Sequence, residues 1–432
     1  MGRCSCKIFE KRRENVILEQ SQVINDKKNV IWNIIGASAN AFNSLFFAII
    51  VTRINGIDNA GIFTFCFATA CMLYCVGNYC GRTFQVTDIS KKTSDSDYIY
   101  HRLITCIIMM VVTLVFSLIK GYDLYKSSIL IILCGFKCIE AFSESIYAVI
   151  QRNGELYKVG ISLFLKAIIA LVTLIILDLL THNLVISCLS IVIINIVFLI
   201  FYDFRNMRKL NYVKTKFTKE VCFSIFKSGF FTFILSMLLI YIFNIPRYAI
   251  DDLSENSIQT IFGIIIMPAS FMWLMGQYII QPLLTKVANF IENKKYGDLK
   301  NLIINLVFII IVLGIIITAI AWLLEAPVLG FVYGVNLTPY FNSMMVIIIG
   351  SIFYSLITIL SALLVAMRKT LSQTVIYSII AFFSTTISYV LVKLNAVVGA
   401  SITYFISMLM VAVSFIILII YNMKKYKIEW KG

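Results

Sequence analysis

The sequence predicts an all-α integral membrane protein of about twelve transmembrane helices, and two observations carry that prediction. Hydrophobic residues make up 60% and charged residues 14% of the 432 residues, and the mean hydropathy is +0.91. Soluble domains are about half apolar and about a quarter charged. The apolar residues also gather in runs near the length of about 20 residues that a helix needs to cross a bilayer core. Lipid is therefore the solvent for most of the chain.

The apolar stretches form two sets of six, separated by a basic hydrophilic segment at 203–228. The first set lies at about 32–52, 61–81, 103–119, 128–150, 159–177 and 184–202. The second set lies at about 229–250, 258–285, 302–324, 341–367, 372–394 and 397–421. We expect a leader at 1–30, helix sets at 31–202 and 229–421 on either side of the 203–228 linker, and a tail at 422–432.

Topology explains the formal net charge of +15. Most of the 37 Lys and Arg residues fall in the leader, the 203–228 segment, the tail and every second connection between helices. The cations at the opposite ends of the helices are Arg53, Lys120, Lys126 and Lys393. Because Lys and Arg accumulate on the cytoplasmic side of membrane proteins, both termini are predicted to be cytoplasmic. The charge then requires no nucleic acid partner.

Cysteine and histidine usage indicates neither a metal centre nor a cofactor. The eleven Cys residues lie mostly inside apolar runs, as Cys71 and Cys134 do, where they act as small hydrophobic residues. The two His residues, His101 and His182, are predicted in loops, which leaves no cluster of metal ligands. The opening MGRCSCKIFEKRRENVILEQ lacks the apolar core of a signal peptide, and Cys6 breaks the myristoylation pattern. We expect a charged cytoplasmic leader.

The fourth apolar stretch carries charges that do not belong in lipid. Lys137, Glu140 and Glu144 are spaced to form one stripe along a helix. Each costs on the order of 2.5 to 3.5 kcal/mol in hydrocarbon, so the stripe should face a watery cavity or the bundle interior. Lys166 in the next stretch is predicted to pair with Glu144, because the short connection between the two makes them antiparallel neighbours. The alternative is an internal ion-pair ladder that only fixes helix packing.

Amide side chains mark two further polar faces. Asn33, Asn40 and Asn43 share one face of the first helix, where amides bond across helices or contact a polar solute. Gln277 and Gln281 lie one turn apart between two prolines, and we expect them to line a cavity from the second half.

Arg53 and Arg247 end the first helix of each half and are each followed by an acidic turn, which suggests a weak internal repeat. Pro246 is expected to interrupt the hydrogen-bond ladder of the helix beside Arg247 and to let backbone carbonyls face a cavity. Since guanidinium groups match phosphate oxygens, both Arg residues are candidates for phosphate binding. The alternative is two arginines that reach lipid headgroups at the membrane interface.

Catalysis is a poor interpretation of this chain. The sequence has no GxxxxGK[ST] loop for nucleotide hydrolysis. A membrane glycosyltransferase or polymerase would need an outer domain with charged groups, whereas the longest predicted outer segment, at about 325–340, is nearly uncharged. We expect a transporter that is not an enzyme and has no catalytic residues.

Four segments carry a resemblance to a known family. They are NVIWNIIGASANAFNSLFFAIIVTRINGIDNAGIFTF, GRTFQVTDISKK, EAFSESIYAVIQRNGELYKVGIS and FNIPRYAID. From about residue 29 onward the chain resembles the Wzx-like flippases of O-antigen and capsule precursors. These flippases belong to the multidrug, oligosaccharidyl-lipid and polysaccharide exporter superfamily.

The resemblance implies two six-helix bundles around a central cavity, with alternating access. It implies that a polyprenyl-pyrophosphate-linked oligosaccharide moves from the cytoplasmic to the outer leaflet of the bacterial inner membrane. Substrate-binding cations in the cavity are carried over to Lys137, Lys166, Arg247, Arg53 and Arg152. Many relatives have Arg where this chain has Lys166, which lacks the bidentate geometry for phosphate.

The two carboxylates of the fourth stretch motivate a coupling hypothesis, and the expected partners follow from the same resemblance. Glu140 and Glu144 are the candidates for coupling transport to a proton or sodium gradient, as in an antiporter. Membrane lipid, a polysaccharide polymerase and glycosyltransferases are the expected partners.

Three alternatives stay open. One is a multidrug exporter of the same superfamily, which would favour an acidic, aromatic cavity for cationic drugs, whereas the buried charges here are at least as often positive. A second is a peptidoglycan-precursor flippase, which differs only in its substrate. The third is a membrane scaffold for glycosyltransferases that transports nothing, in which the buried charges would serve only packing.

Overall fold

The computed structural model describes residues 2–88, 93–210, 212, 215 and 218–429, with the backbone alone at 2–26, 83, 87, 282 and 285. Within these ranges the chain is almost entirely helical and forms no strand. Five predicted inner cations lie outside the described residues, namely Lys91, Lys92, Lys214, Lys216 and Lys431. Met1 and the other two of the last three residues of the predicted tail lie outside them as well.

The helices follow the apolar stretches closely. They are α1 (Gly2–Asn78), α2 (Gly81–Thr87), α3 (Asp95–Lys120), α4 (Leu124–Arg152), α5 (Leu156–Thr181), α6 (Leu184–Phe198), α7 (Phe204–Arg208), α8 (Lys219–Leu253), α9 (Asn256–Ile265), α10 (Met267–Ile280), α11 (Leu284–Glu292), α12 (Tyr296–Tyr333), α13 (Phe341–Ala366), α14 (Thr370–Leu394) and α15 (Ala396–Glu429). A π-helical turn, Leu199–Asp203, joins α6 to α7. The predicted linker at 203–228 is thus helical at both of its ends.

Helix ends coincide with residues suited to them. The side chain of Asn183 caps the start of α6 by accepting hydrogen bonds from the amides of Val185 and Ile186. Gly334 ends α12 in the left-handed conformation, with a φ of 72°, and its amide donates to the carbonyl of Gly330.

Ten helical segments within the described residues are long and apolar enough to cross a membrane. The first, Lys27–Asn78, has 52 residues, and the non-helical backbone at Gly56 (φ 81°, ψ 174°) divides it into two helices. About 20 residues span a bilayer core, so this segment has the length for two crossings. The ten do not include α4, whose charged residues exceed those of an ordinary span. The chain is therefore an all-helical, multi-span membrane protein, and the count of twelve helices stays a prediction.

One local prediction is wrong, since His101 lies inside α3 rather than in a loop. The segment from 325 is helical up to Tyr333, and α8 likewise continues through Pro246, because the proline ring removes one backbone hydrogen bond without ending a long apolar helix. The interruption at Pro246 therefore leaves α8 continuous, and the segment predicted at about 325–340 is partly helical.

The helices group into two compact units. Unit 1 comprises Met1–Phe47, Gly77–Val115 and Ile131–Lys227, and unit 2 comprises Ala48–Val76, Phe116–Leu130 and Ser228–Gly432. The largest apolar core belongs to unit 2, where α13 packs against α10, α12 and α15 around buried residues such as Ile357 and Phe415. In unit 1, Gly36 and Gly160 let α1 and α5 approach so closely that a Cβ at Gly36 would lie 2.2 Å from the Gly160 carbonyl oxygen.

Candidate functional site

The charged stripe on α4 forms a connected polar row inside unit 1. Lys137 donates a 2.7 Å hydrogen bond to Glu140, and the amide of Asn40 on α1 donates to the other oxygen of Glu140 at 3.2 Å. The side chains of Lys137 and Glu140 are 14% and 17% exposed. The predicted stripe therefore exists, and it includes one of the three asparagines of the first helix.

Glu144 extends this row through Arg82, a residue outside the predicted site. The Nε atom of Arg82, on the short helix α2, lies 3.4 Å from the Glu144 carboxylate. The Nη1 atom of Arg82 is buried and has no hydrogen-bond partner among the described residues. In the sequence, Arg82 is marked only by the glycine directly before it. In the structure, Gly81 has a φ of 71° and begins the new helix α2 just after the end of α1. We name Asn40, Arg82, Lys137, Glu140 and Glu144 the polar row.

Burying the polar row costs hydration free energy, and helix packing or a bound ligand must offset that cost. Its two cations are each held by a carboxylate on α4, and ion pairing of this kind only partly offsets the loss of hydration. Arg82 keeps a buried donor that its carboxylate partner does not satisfy, and an unmade hydrogen bond of this kind costs about 1 to 3 kcal/mol. An anion with several oxygens would satisfy that donor and compete for both cations.

Lys166 belongs to a different network, so the predicted Glu144–Lys166 pair is wrong. Its amine donates to Asp203 at 2.6 Å, to Tyr147 at 2.9 Å and to Ser143 at 3.3 Å. Asp203 lies in the π-helical turn after α6, which brings its carboxylate to the Lys166 amine on α5, and it also accepts a hydrogen bond from Ser162 at 2.6 Å. Lys166 is fully engaged by buried groups, a pattern typical of a structural ion pair.

Arg152 also has a local partner. Its guanidinium lies 2.8 Å from the Asp95 carboxylate in the first turn of α3 and 3.4 Å from the Asp88 carbonyl oxygen. The pair ties the end of α4 to the start of α3. These contacts favour a role for Arg152 in holding the helix ends of unit 1.

Arg247 lies in unit 2 and is 8% exposed. One of its nitrogens donates to the Thr64 carbonyl oxygen at 3.4 Å, and its Nε atom is buried with no hydrogen-bond partner among the described residues. The salt bridges found in the described part of the chain give Arg247 no carboxylate. It is thus a buried guanidinium with donor capacity to spare, as the phosphate hypothesis requires.

Arg53 is exposed and binds the end of a helix. It donates to the carbonyl oxygens of Phe331 and Val332, the latter at 3.0 Å, in the last turn of α12. A Cβ at Gly334 would lie 2.6 Å from the Arg53 guanidinium, so the glycine leaves room for it. A cation at the C-terminus of a helix is stabilised by the helix dipole. Arg53 and Arg247 therefore occupy different surroundings despite their similar sequence positions.

The remaining amides are divided between the two units. In unit 1, Asn33 is half-buried and Asn43 is buried. In unit 2, Gln281 is exposed and donates to Gln277 at 3.4 Å. The described residues contain no group of three His, Cys, Asp or Glu side chains placed to hold a metal ion.

Comparison with solved structures identifies the fold. A multidrug resistance MATE family transporter of the MOP superfamily, in its inward-facing conformation, matches 91% of this chain and 99% of its own with a TM-score of 0.67 and 13% identity. The lipid II flippase MurJ, in an inward closed conformation, matches 93% of this chain and 90% of its own with a TM-score of 0.67 and 14% identity. The chain has the fold of the MOP transporters. The family resemblance seen in the sequence is therefore confirmed for the fold.

Two further relatives extend the comparison. A MOP superfamily transporter from Pyrococcus furiosus, described by a reversed polarity of its binding pocket, matches 93% of this chain and 97% of its own with a TM-score of 0.57 and 13% identity. The capsular polysaccharide biosynthesis protein CapF of Staphylococcus aureus is 22% identical over 400 residues, which cover 90% of this chain and 98% of CapF. No family model matches the chain. The structural neighbours named here are transporters and a flippase rather than enzymes.

Proposed function

We propose that this protein flips a polyprenyl-pyrophosphate-linked oligosaccharide from the cytoplasmic to the outer leaflet of the bacterial cytoplasmic membrane, for capsule or O-antigen synthesis. The observation that carries the proposal is the polar row, in which Lys137 lies within the predicted fourth span and Arg82, on the short helix α2 after α1, reaches Glu144 of that same span. Charged groups in such helices generally mark the path of a substrate or an ion.

The chemistry of the substrate fits the polar row. A diphosphate offers several anionic oxygens, and it would displace Glu140 from Lys137 and Glu144 from Arg82 as their counter-ion. The buried Nη1 donor of Arg82 would then gain an acceptor. The amide of Asn40 suits a sugar hydroxyl as well as a carboxylate. Unit 2 separately contains Arg247, a buried guanidinium that also keeps an unsatisfied donor.

Displacement of the two carboxylates by the diphosphate also suggests how transport is coupled to an ion gradient. Once the diphosphate holds Lys137 and Arg82, the carboxylates of Glu140 and Glu144 lose their positive partners. A buried carboxylate without a partner takes up a proton or binds a cation, because an isolated charge in an apolar site is costly. Substrate entry would thereby load the protein with a proton or a sodium ion.

The relatives support a lipid-linked saccharide as the substrate class. CapF, a capsular polysaccharide biosynthesis protein, aligns over nearly its whole length, and MurJ is a flippase for lipid II. A polymerase and glycosyltransferases as partners, two six-helix bundles at 31–202 and 229–421, and cytoplasmic termini belong to the same proposal.

The test is deletion of the gene and complementation with variants. We expect the deletion strain to lose surface polysaccharide and to accumulate the lipid-linked oligosaccharide where an externally added glycosidase cannot reach it in spheroplasts. Lys137→Ala should restore export about tenfold less well than the parent, since a charge-assisted hydrogen bond contributes about 1.5 to 3 kcal/mol. Lys158→Ala is the matched control, because Lys158 also forms an ion pair with a residue three positions away, Glu155, at 2.5 Å. Unchanged surface polysaccharide in the deletion strain would overturn the proposal.

Two other cargoes are favoured by specific neighbours. The MurJ match favours a peptidoglycan precursor, and complementation of a strain depleted of its lipid II flippase would reveal that activity. The MATE match favours drugs, and higher resistance to cationic drugs on expression would reveal that activity. A non-transporting scaffold predicts instead that Lys137→Ala leaves surface polysaccharide untouched.

A further inference from the structure

Two adjacent carboxylates end α8, and each binds one lysine and one tyrosine. Asp251 forms an ion pair with Lys126 and accepts a 2.8 Å hydrogen bond from the Tyr122 hydroxyl. The Asp251 side chain is 3% exposed and that of Lys126 is 11% exposed. Burial and the charge of Asp251 raise the pKa of Tyr122, so its hydroxyl keeps its proton and remains a donor.

Asp252 repeats the arrangement on the next residue. The Lys120 amine lies 2.6 Å from both oxygens of Asp252, and the Tyr389 hydroxyl on α14 donates to the same carboxylate. The side chains of Lys120 and Asp252 are 26% and 27% exposed, so this pair is more open than the one next to it. Both pairs lie within unit 2 and join the connection between α3 and α4 to the end of α8.

The two carboxylates lie at the helix end that disfavours negative charge. Asp251 and Asp252 lie in the last turn of α8, where the helix dipole disfavours negative charge. Their stabilisation must therefore come from the distant lysines and tyrosines. Lys120, in the last turn of α3, has the sign that its helix favours and is available as a partner.

Aromatic rings shield the buried Lys126–Asp251 pair from water. The Lys126 amine lies 4.3 Å from the Tyr122 ring centre and 4.8 Å from that of Phe65, and Phe65 also packs edge-on against Tyr248 of α8. The thiol of Cys66 is fully buried and donates to the Lys126 carbonyl oxygen at 3.8 Å. Ion pairs in such dry surroundings are screened less by salt and water than surface pairs are.

We propose that Lys120–Asp252 and Lys126–Asp251 form a latch at the predicted outer ends of these helices, which closes the exit until it is released during transport. The latch rests on the proposed function, because a transporter that works by alternating access must separate these segments when it opens outward. It holds the connection between α3 and α4, which belongs to the first half of the sequence, against α8 and α14 of the second half. Breaking either pair favours the outward-open state.

Cys66 is a built-in reporter for the test. In a variant that keeps Cys66 as its single cysteine, whole cells are treated with a membrane-impermeant maleimide, and the rate of Cys66 labelling is measured. We expect slow labelling in the parent and labelling at least about tenfold faster when Asp251→Asn and Asp252→Asn are combined, since a lost interaction shifts the balance of two states. Asp123→Asn is the matched control: it removes one carboxylate of the same connection, an exposed one, and should leave the rate unchanged.

A charge exchange guards against misfolding as the cause. Asp252→Lys alone should speed labelling, whereas Lys120→Asp together with Asp252→Lys should return the rate to within about threefold of the parent. The latch is refuted if the neutral double variant labels at the parent rate, if the exchanged pair does not recover, or if Cys66 is reached only from the cytoplasmic side.

The proposed substrate and the proposed latch can be refuted independently of each other. Flipping of the lipid-linked oligosaccharide is assayed with the same proteins in proteoliposomes. Faster labelling of the latch variants, with no flipping by any protein including the parent, supports the latch and rejects the substrate. Flipping by the parent, with equal labelling of all variants, rejects the latch and supports the substrate.

Discussion

The Lys166 amine binds the Asp203 carboxylate at 2.6 Å, and Tyr147 and Ser162 surround the pair with hydroxyl groups. Lys166 was the cation predicted to pair with Glu144, and the structure gives that partner to Arg82 instead. The result separates a structural ion pair on α5 from the polar row on α4, and the two make different predictions.

Single removal of either member of the Lys166–Asp203 pair should destabilise the protein. Lys166→Met or Asp203→Asn leaves a buried group without its partner, at a cost on the order of 3 to 5 kcal/mol. The double variant should regain most of the stability, because no uncompensated charge remains. The midpoint of thermal unfolding in detergent measures this, and equal loss in the single and double variants would contradict it.

The same double variant separates stability from substrate binding. If Lys166 only holds α5 to the π-helical turn, a stable double variant should flip substrate at nearly the parent rate. A stable but inactive double variant would instead make Lys166 a substrate ligand, as the family resemblance implies.

Arg82 should be required for transport in a way that Lys158 is not. Arg82→Ala removes the Glu144 partner and a buried donor, and we expect flipping to fall at least about tenfold. Arg82→Lys should recover part of the activity, since charge remains but bidentate geometry is lost. Initial flipping rates in proteoliposomes measure both effects, with Lys158→Ala as control. Parent-like flipping by Arg82→Ala would remove Arg82 from the site.

Glu140 and Glu144 should make transport depend on an ion gradient. We expect Glu140→Gln combined with Glu144→Gln to abolish the acceleration of flipping by an imposed proton or sodium gradient, because amides neither gain a proton nor lose a charge. Glu155→Gln, outside the polar row, is the control. Full gradient dependence in the double variant would exclude these carboxylates from coupling.

Cys80 should react slowly with alkylating reagents near neutral pH. Burial raises the pKa of its thiol to about 11, and the charge of Arg102 opposes this only in part. The thiolate is the reactive form and appears only as pH approaches the pKa, so alkylation at pH 8 should be on the order of a hundredfold slower than at an ordinary cysteine. Mass spectrometry of iodoacetamide adducts across pH measures this, with Asp123→Cys as an exposed reference.

Gly36 should tolerate no side chain, although alanine is the better helix former. In Gly36→Ala the new Cβ would lie 2.2 Å from the Gly160 carbonyl oxygen, so α1 and α5 must move apart. Gly135→Ala is the matched control, because nothing lies within 4 Å of its Cβ position, and it should gain up to about 1 kcal/mol of helix stability. Thermal unfolding should rank Gly36→Ala below the parent and Gly135→Ala at or above it.

Hydrophobic periodicity and charge spacing determined much of this protein. The apolar runs correspond to the observed helices, because a bilayer dictates both the length and the composition of a span. The stripe of Lys137, Glu140 and Glu144 was also visible, since the helical repeat places residues three and four apart on one face.

Tertiary structure decided the partners. Glu144 binds Arg82 and Lys166 binds Asp203, which lies in a turn that helical spacing does not anticipate, and Asp251 and Asp252 find their lysines across more than a hundred residues. Sequence spacing sets which side chains share one helix face, but contacts between helices depend on how the helices pack. For that reason the sequence could name most of the charged residues inside the membrane, and only the packed helices could say which of them are held by a neighbour and which keep a donor for a ligand.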